Sequence, residues 1–205
     1  MALPATDDFN RGDSGTLGAN WTQSPSAQGQ LSIVSNQANT PTSIAFHGAL
    51  WNADSFANNQ YGQVTVTEAT ASGSRGGPTA RHQAGTLSTF TMYAFVWNQT
   101  NSDTDIEKRI ANVSTVIASG GQEPVLNDNL RIEADGINLD GFINGVPKLA
   151  AADAAIAIGA PGIFGVPVGA NTWKFDDWEG GDLPSKPVPA GFVGQYPTII
   201  RGGGR

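Results

Sequence analysis

The chain has 205 residues, a formal net charge of −7 and a pI near 4.6, and it contains no cysteine. This length suits one domain with a sizeable core, and the absence of cysteine excludes disulfides, thiolate metal sites and a cysteine nucleophile. An acidic chain without a basic cluster repels phosphate backbones, so we expect no nucleic-acid partner.

The first 30 residues contain no basic segment followed by an apolar run, so the sequence predicts no secretory signal. No apolar run approaches the ~20 residues of a membrane-spanning helix, so we expect no membrane partner.

The first part of the chain predicts short strands separated by turn-rich loops. Residues 6–11 predict a first strand with Phe9 facing inward, and Gly12–Asn20 predict a loop that ends at Trp21, a core anchor. The segment Ser72–Pro78 predicts a turn. Further strands are predicted at Gln30–Val34, Ser43–Phe46, Tyr61–Ala69 and Thr79–Gln83.

The longest strand signal is Ser88–Trp97, which is apolar on both faces. A strand of this kind is central in its sheet, or its second face contacts something other than water. The next two strands, Asp105–Ile110 and Val113–Ala118, are predicted to form a hairpin that turns at Ala111 and Asn112.

Apolar residues alternate with polar ones through Leu130–Val146, which is the period of half-buried strands. Asp135-Gly136 and Asn144-Gly145 lie where tight hairpin turns need positive φ. The alanines of Leu149–Ile158 favour a helix, but flanking prolines and glycines predict a loop or single turn that enters a strand near residue 155. Two more strands are predicted at Gly162–Val168 and Thr172–Trp178. The pattern predicts an all-β antiparallel sandwich.

The composition changes after Glu179 to a segment rich in proline and glycine. We therefore divide the chain into a sandwich (1–183) and an extended C-terminal arm (184–205). The arm carries enough apolar surface to dock on another subunit or a homo-oligomer partner, and the residues concerned are Phe192, Val193, Tyr196, Ile199 and Ile200.

Several short motifs resemble those of the concanavalin A-like lectin/glucanase superfamily. They are Asp7-Asp-Phe-Asn-Arg, Gly18-x-x-Trp21, Arg81, Tyr93, the 105–118 hairpin, Leu130-Arg-Ile-Glu, Asn144-Gly-Val and Phe175-Asp-Asp-Trp-Glu-Gly-Gly. The resemblance covers about residues 6–183 and is greatest to laminin-G-like members, which occur in bacterial surface proteins and phage virion proteins. It implies a jelly-roll sandwich and says less about activity.

The same superfamily includes glucanases, whose paired carboxylates lie on one strand in a Glu-x-Asp-x-x-Glu or similar run. That run is absent here. Glu133 and Asp135 are two residues apart, but Asp135 falls at a predicted turn. Asp103, Asp105 and Glu107 alternate correctly, but their polar surroundings at the start of a hairpin favour a solvated loop. The sequence therefore predicts that the protein is not an enzyme.

A structural Ca²⁺ is the one cofactor that the sequence suggests. In the implied fold the first and last strands pair, which would bring together Asp7, Asp8, Asp176 and Asp177. A hard cation with six to eight oxygen ligands relieves repulsion between such carboxylates. Alternatively, one Asp of each pair faces solvent and the other caps turn amides.

A glycan site is the second hypothesis, formed by Arg81, Tyr93 and Trp97 together with His82. Exposed aromatic rings stack on sugars, and polar side chains bind their hydroxyl groups. Alternatively, a second hydrophobic layer or a subunit contact covers this face.

Together these features predict a non-catalytic structural or accessory protein of a large assembly. The most specific form of this prediction is a phage virion protein that decorates a capsid or belongs to a tail or fibre, located at the particle surface. One alternative is a free carbohydrate-binding or adhesion module. Another is a glycan-cleaving enzyme.

Overall fold

A computed structural model gives the fold of the chain and describes residues 4–25, 30–41, 46–69, 73–111, 113–168 and 172–184. Most of the strand predicted at Ser43–Phe46 lies outside the described residues. So do the arm residues predicted to dock on a partner, namely Phe192, Val193, Tyr196, Ile199 and Ile200.

Within the described residues, fifteen strands form two antiparallel sheets, which confirms the predicted jelly-roll sandwich. The first sheet has the order β13-β12-β11-β6-β15-β4-β3, with β1 also paired to β15, and the second has the order β10-β9-β8-β7-β14-β5-β2. The strands are β1 (Ala5–Asp7), β2 (Trp21–Gln23), β3 (Ser32–Val34), β4 (Gln37–Asn39), β5 (His47–Trp51), β6 (Gln60–Ala69), β7 (Arg75–Gln83), β8 (Thr91–Asn98), β9 (Asp103–Ile110), β10 (Val113–Gly121), β11 (Asn129–Asp135), β12 (Asn138–Ile143), β13 (Val146–Ala152), β14 (Ala160–Val166) and β15 (Trp173–Asp182).

The predicted hairpin turns are confirmed where the sequence supplies residues that tolerate positive φ. Gly136 has φ of 62° between β11 and β12, and Asn144 and Gly145 have φ of 50° and 74° between β12 and β13. Both turns fix the register of their strands, so that Ala134 pairs with Leu139 on the buried face.

Strand β8 is internal in the second sheet, between β7 and β9, as its two apolar faces predicted. Tyr93, Phe95 and Trp97 face the core between the sheets. Met92, Ala94 and Val96 belong to a separate cluster on the other face.

Two predictions of irregular structure are wrong. The segment Ser72–Pro78 was predicted as a turn, but residues from Arg75 onward belong to β7. A Cβ at Gly76 would lie 2.9 Å from the ring of Trp173, so close packing explains the glycine there. Leu149–Ile158 begins within β13 because its alanines pair with β12.

The core between the sheets is built around aromatic rings, and all five tryptophans are buried. Trp21, Trp51 and Trp178 lie with ring centroids 4.7–5.3 Å apart, and Trp97 packs edge-on against Trp173. Each such pair contributes about 0.5–1.5 kcal/mol beyond the burial of its surface. In the part of the chain that the structure describes, no helix is long and apolar enough to cross a membrane.

Candidate functional site

The residues predicted to bind glycans lie inside the protein. Arg81 is 2 % exposed, and its guanidinium donates hydrogen bonds to the carbonyl oxygens of Asn58 (2.9 Å), Ile156 (2.9 Å) and Gly136 (2.7 Å). These acceptors belong to three separate loops at one end of the sandwich. Arg81 therefore holds the loops together.

Tyr93, Trp97 and His82 are also buried. The Tyr93 hydroxyl donates a hydrogen bond to Asp153 Oδ1 at 2.5 Å. Burial, and to a lesser extent this hydrogen bond, raise the pKa of Tyr93 to about 12. Complete burial lowers the pKa of His82 to about 3, so its ring is neutral. Stacking on a sugar needs an exposed ring, and none of these three side chains provides one, so this expectation is corrected. An alternating pattern does not reveal which face is buried.

The predicted calcium ligands do meet at the paired first and last strands, where Asp7 pairs with Trp178. Asp7, however, already has partners. Its carboxylate accepts two hydrogen bonds from Arg11, at 2.6 and 3.0 Å, and one from the Trp21 indole at 2.8 Å. Asp7 thus fastens the loop after β1 to the core.

The other three carboxylates border a shallow depression of about 330 Å³ with Asn10 and Asn36. Burial raises the pKa of Asp176, and the charges of Asp177 and Asp8 raise it further. Among the described residues, no group of three or more His, Asp or Glu side chains has the arrangement to hold a metal ion. Calcium binding therefore stays a prediction.

Three carboxylates that the sequence predicts to lie in a solvated loop form a row on β9 instead. We call Asp103, Asp105 and Glu107 the acidic row. Ile106 faces the core, so alternation places the row on the outer face of the second sheet. Asp105 is 1 % exposed and Glu107 is fully buried. The spacing was visible in the sequence and a strand was predicted from Asp105, but the polar surroundings concealed the burial of these carboxylates.

Glu107 and Asp105 in the acidic row have different hydrogen-bond partners. Glu107 forms an ion pair with Arg75 at 2.8 Å and accepts a 2.5 Å hydrogen bond from the Ser114 hydroxyl. Asp105 accepts a 2.7 Å hydrogen bond from Asn98 through one oxygen. Burial raises the pKa of Asp105, and the charges of Asp103 and Glu107 add to this effect. The Oδ1 atoms of both aspartates have no hydrogen-bond partner among the described residues.

An apolar patch adjoins the acidic row on the same face. The Arg109 guanidinium lies 4.8 Å from the Phe46 ring centroid, and burial lowers the pKa of Arg109. The patch therefore places rings and a buried cation beside carboxylates. Its buried members are Phe46, Phe90, Met92, Ala94, Val96 and Phe164.

A second polar cluster lies on the outer face of the first sheet. The Arg131 guanidinium lies 3.6 Å from the centroid of the Tyr61 ring and forms an ion pair with Glu133 at 2.7 Å. The Tyr61 hydroxyl donates a hydrogen bond to Glu179. Gln63 and Glu179 also line a neighbouring groove of about 450 Å³. The sequence analysis did not predict this cluster. The alternation of apolar and polar residues in β6 and β11 could have indicated it, because it places Tyr61 and Arg131 on the same face.

No family model matches the sequence, and no curated protein matches it. Solved structures do match. The carbohydrate-binding module CBM66 from Bacillus subtilis is 16% identical with a TM-score of 0.54 over 77% of this chain and 92% of its own. The Bacillus licheniformis β-glucanase is 10% identical, with a TM-score of 0.59 over 90% and 100%.

A third similar structure is the exoplasmic/lumenal domain of VIP36 bound to Ca²⁺ and Man3GlcNAc. It is 11% identical with a TM-score of 0.61, over 83% of this chain and 86% of its own. The chain therefore has the concanavalin A-like jelly-roll fold, which lectins, carbohydrate-binding modules and glucanases share. At these identities the likeness establishes the fold alone.

Proposed function

We propose that the chain is a non-catalytic, lectin-like module of a large assembly, displayed as a sandwich and anchored by its C-terminal arm. The non-catalytic part of this proposal rests on Glu107, whose carboxylate is fully buried and forms an ion pair with Arg75. A catalytic carboxylate must reach the bond it cleaves, whereas the Glu107 carboxylate is buried and paired with Arg75.

The assembly that we propose is a phage virion, in which the module decorates the capsid or belongs to a tail or fibre. The arm supports this proposal through its composition. Between Pro187 and Ile200 it contains no charged residue and several large apolar ones, which favours docking on another protein surface.

Arm variants test the proposal. The double substitution Phe192→Asp and Ile199→Asp places charge where apolar contact is proposed, so we expect at least a tenfold loss of co-sedimentation with particles. Ser185→Asp with Gly203→Asp adds the same charge, leaves the apolar residues in place and serves as the control. Equal attachment of both double variants would contradict the role of the arm.

The fold also favours a free carbohydrate-binding or adhesion module as a second candidate. The groove beside Tyr61 and Arg131 offers amide and carboxylate groups for hydroxyl binding. A glycan array tests whether the groove binds a glycan. If it does, Gln63→Ala should abolish binding of that glycan and leave the assembly state of the protein unchanged. Binding unchanged by that substitution would exclude the groove.

One observation favours a glycan-cleaving enzyme. The acidic row places carboxyl groups next to one another on one strand face, as the paired carboxyl groups of a glycosidase require, and burial raises the pKa of Asp105. Release of reducing ends from a polysaccharide by the native protein, abolished by Asp105→Asn, would establish this activity and overturn the non-catalytic proposal.

A further inference from the structure

Strand β10 forms the end of the second sheet and, among the described residues, pairs with β9 alone. Its outward edge therefore presents backbone N–H and C=O groups that the described strands leave open. Across the sandwich, β10 lies beside β13, which ends the first sheet.

The first four residues of this edge lack the devices that protect most free edges. Proteins blunt exposed edge strands with charged side chains, proline or β-bulges. Residues 113–121 contain no charged residue and no proline, and their sequence is Val-Ser-Thr-Val-Ile-Ala-Ser-Gly-Gly. Val113 is 67 % exposed and Val116 is 49 % exposed. The register shifts begin only after Val116, so the first four residues form a regular, uncharged edge.

We propose that β10 accepts an added strand from residues 190–196 of a second copy of this chain. The proposal rests on the assembly role of the arm proposed above and names its docking surface. Ala190–Tyr196 is a seven-residue stretch bounded by Pro189 and Pro197, and it carries no charge. An uncharged segment can pair with an uncharged edge without desolvating an ion.

The side chains of the two segments also match. On β10, Val116 lies opposite Glu107, on the outer face, and Val113 lies opposite Ile110 at the hairpin end. The exposed valines therefore point to opposite faces. A parallel added strand with Val193 opposite Val113 would place Tyr196 opposite Val116 and Gln195 opposite Thr115, so each exposed valine gains an apolar neighbour.

The position where the sandwich ends favours a second copy over the chain's own arm. The Leu183 N–H donates to the carbonyl oxygen of Asn59, just after β15. In the first sheet β15 lies four positions from β13, about 19 Å at ~4.8 Å per strand, and in the other sheet Cα atoms of β10 lie within 8 Å of those of β13.

A strand added beyond β10 would lie one spacing further out, about 25 Å from Leu183 in a straight line. The seven Cα–Cα steps from Leu183 to Ala190 span at most about 25 Å when fully extended, and about 22 Å in the polyproline II conformation that the prolines at 184, 187 and 189 favour. The tether would therefore have to be fully stretched for residues 190–196 to reach their own β10, whereas a neighbouring copy can approach freely.

The absence of cysteine in the natural sequence allows a direct test by crosslinking. Thr115→Cys and Gln195→Cys are made as separate full-length proteins, mixed and oxidised. We expect a disulfide-linked mixed dimer at least tenfold in excess of either same-variant dimer. Thr16→Cys replaces an exposed threonine elsewhere and should give no mixed dimer with Gln195→Cys.

A charge on the edge provides the second measurement. Val116→Lys should weaken association between copies at least tenfold in sedimentation velocity, because a strand added there would bury the ammonium group. Val125→Lys, at an exposed loop valine, is the matched control and should leave association unchanged.

Three crosslinking results would overturn the proposal: no mixed dimer, a dominant Thr115→Cys self-dimer, or a bond within one chain of the double cysteine variant. The proposed function fails differently. If the arm variants lose their particles while Val116→Lys has no effect, the arm docks elsewhere and only this inference fails. If the mixed dimer forms while the arm variants still attach, the edge joins copies and the attachment role fails.

Discussion

Arg81 shows how burial changes the role of a polar residue. Its three hydrogen bonds end on the carbonyl oxygens of Asn58, Gly136 and Ile156, which a sequence cannot reveal because backbone acceptors leave no residue pattern. Arginine is rarely buried, so the sequence favoured an exposed ligand-binding role. The sequence could not reveal the hydrogen bond of Tyr93 either, because its partner Asp153 lies 60 residues away along the chain.

Arg81→Met should therefore reduce stability. The substitution leaves three carbonyl groups without their donor, and each unsatisfied buried group costs about 1–3 kcal/mol. We expect a loss of at least about 3 kcal/mol in the free energy of unfolding, measured with urea. Arg131→Met, on the outer face of the first sheet, should cost less than about 1 kcal/mol. Equal losses for the two variants would contradict the structural role of Arg81.

Asp105 should make stability depend on pH. Burial and the charges of Asp103 and Glu107 raise its pKa in the folded state. The hydrogen bond from Asn98 and the charge of Arg75 lower this pKa, but by less. The folded state thus holds the proton more tightly than the unfolded state, so this contribution is present below the unfolded pKa and is lost as pH rises through the folded pKa. Asp105→Asn should raise the melting temperature at pH 7, and the gain should disappear in acid. A constant gain at every pH would contradict this linkage.

At the scale of strands, local turn chemistry predicted more than composition did. Asp135-Gly136 and Asn144-Gly145 located two hairpins because positive φ is a local requirement. β7 was missed at Gly76 and Gly77, whose role depends on distant packing against Trp173 and Phe95. β13 was missed because alanine favours helices unless a neighbouring strand provides a partner.

Gly141 tests whether close packing selects glycine within strands. A Cβ at this position on β12 would lie 2.3 Å from the ring of Phe95, which is fully buried. Gly141→Ala should therefore cost about 1–3 kcal/mol through overpacking. Gly12→Ala meets no atom within 4 Å and should leave stability unchanged or raise it by up to about 1 kcal/mol. Differential scanning calorimetry of both variants would show whether the two effects have opposite signs.

At the scale of the whole molecule, the sandwich provides a packed body, and its candidate functional residues lie on outer faces. The acidic row and the cluster around Tyr61 both use the strand face opposite the core. Alternation predicts that such faces exist, but the burial of Glu107 beside Arg75 depends on the assembled sheet. The arm proposed to anchor this body was predicted from composition.

Sedimentation of the native full-length protein from its source tests the central proposal most directly. A displayed module of an assembly should be found with large particles and should stay with them after washing in moderate salt, because the proposed arm contact is apolar. We predict this result, with no release of reducing ends by the sedimented material. Recovery only as a small free species, or glycan cleavage by the particle-bound protein, would contradict the account.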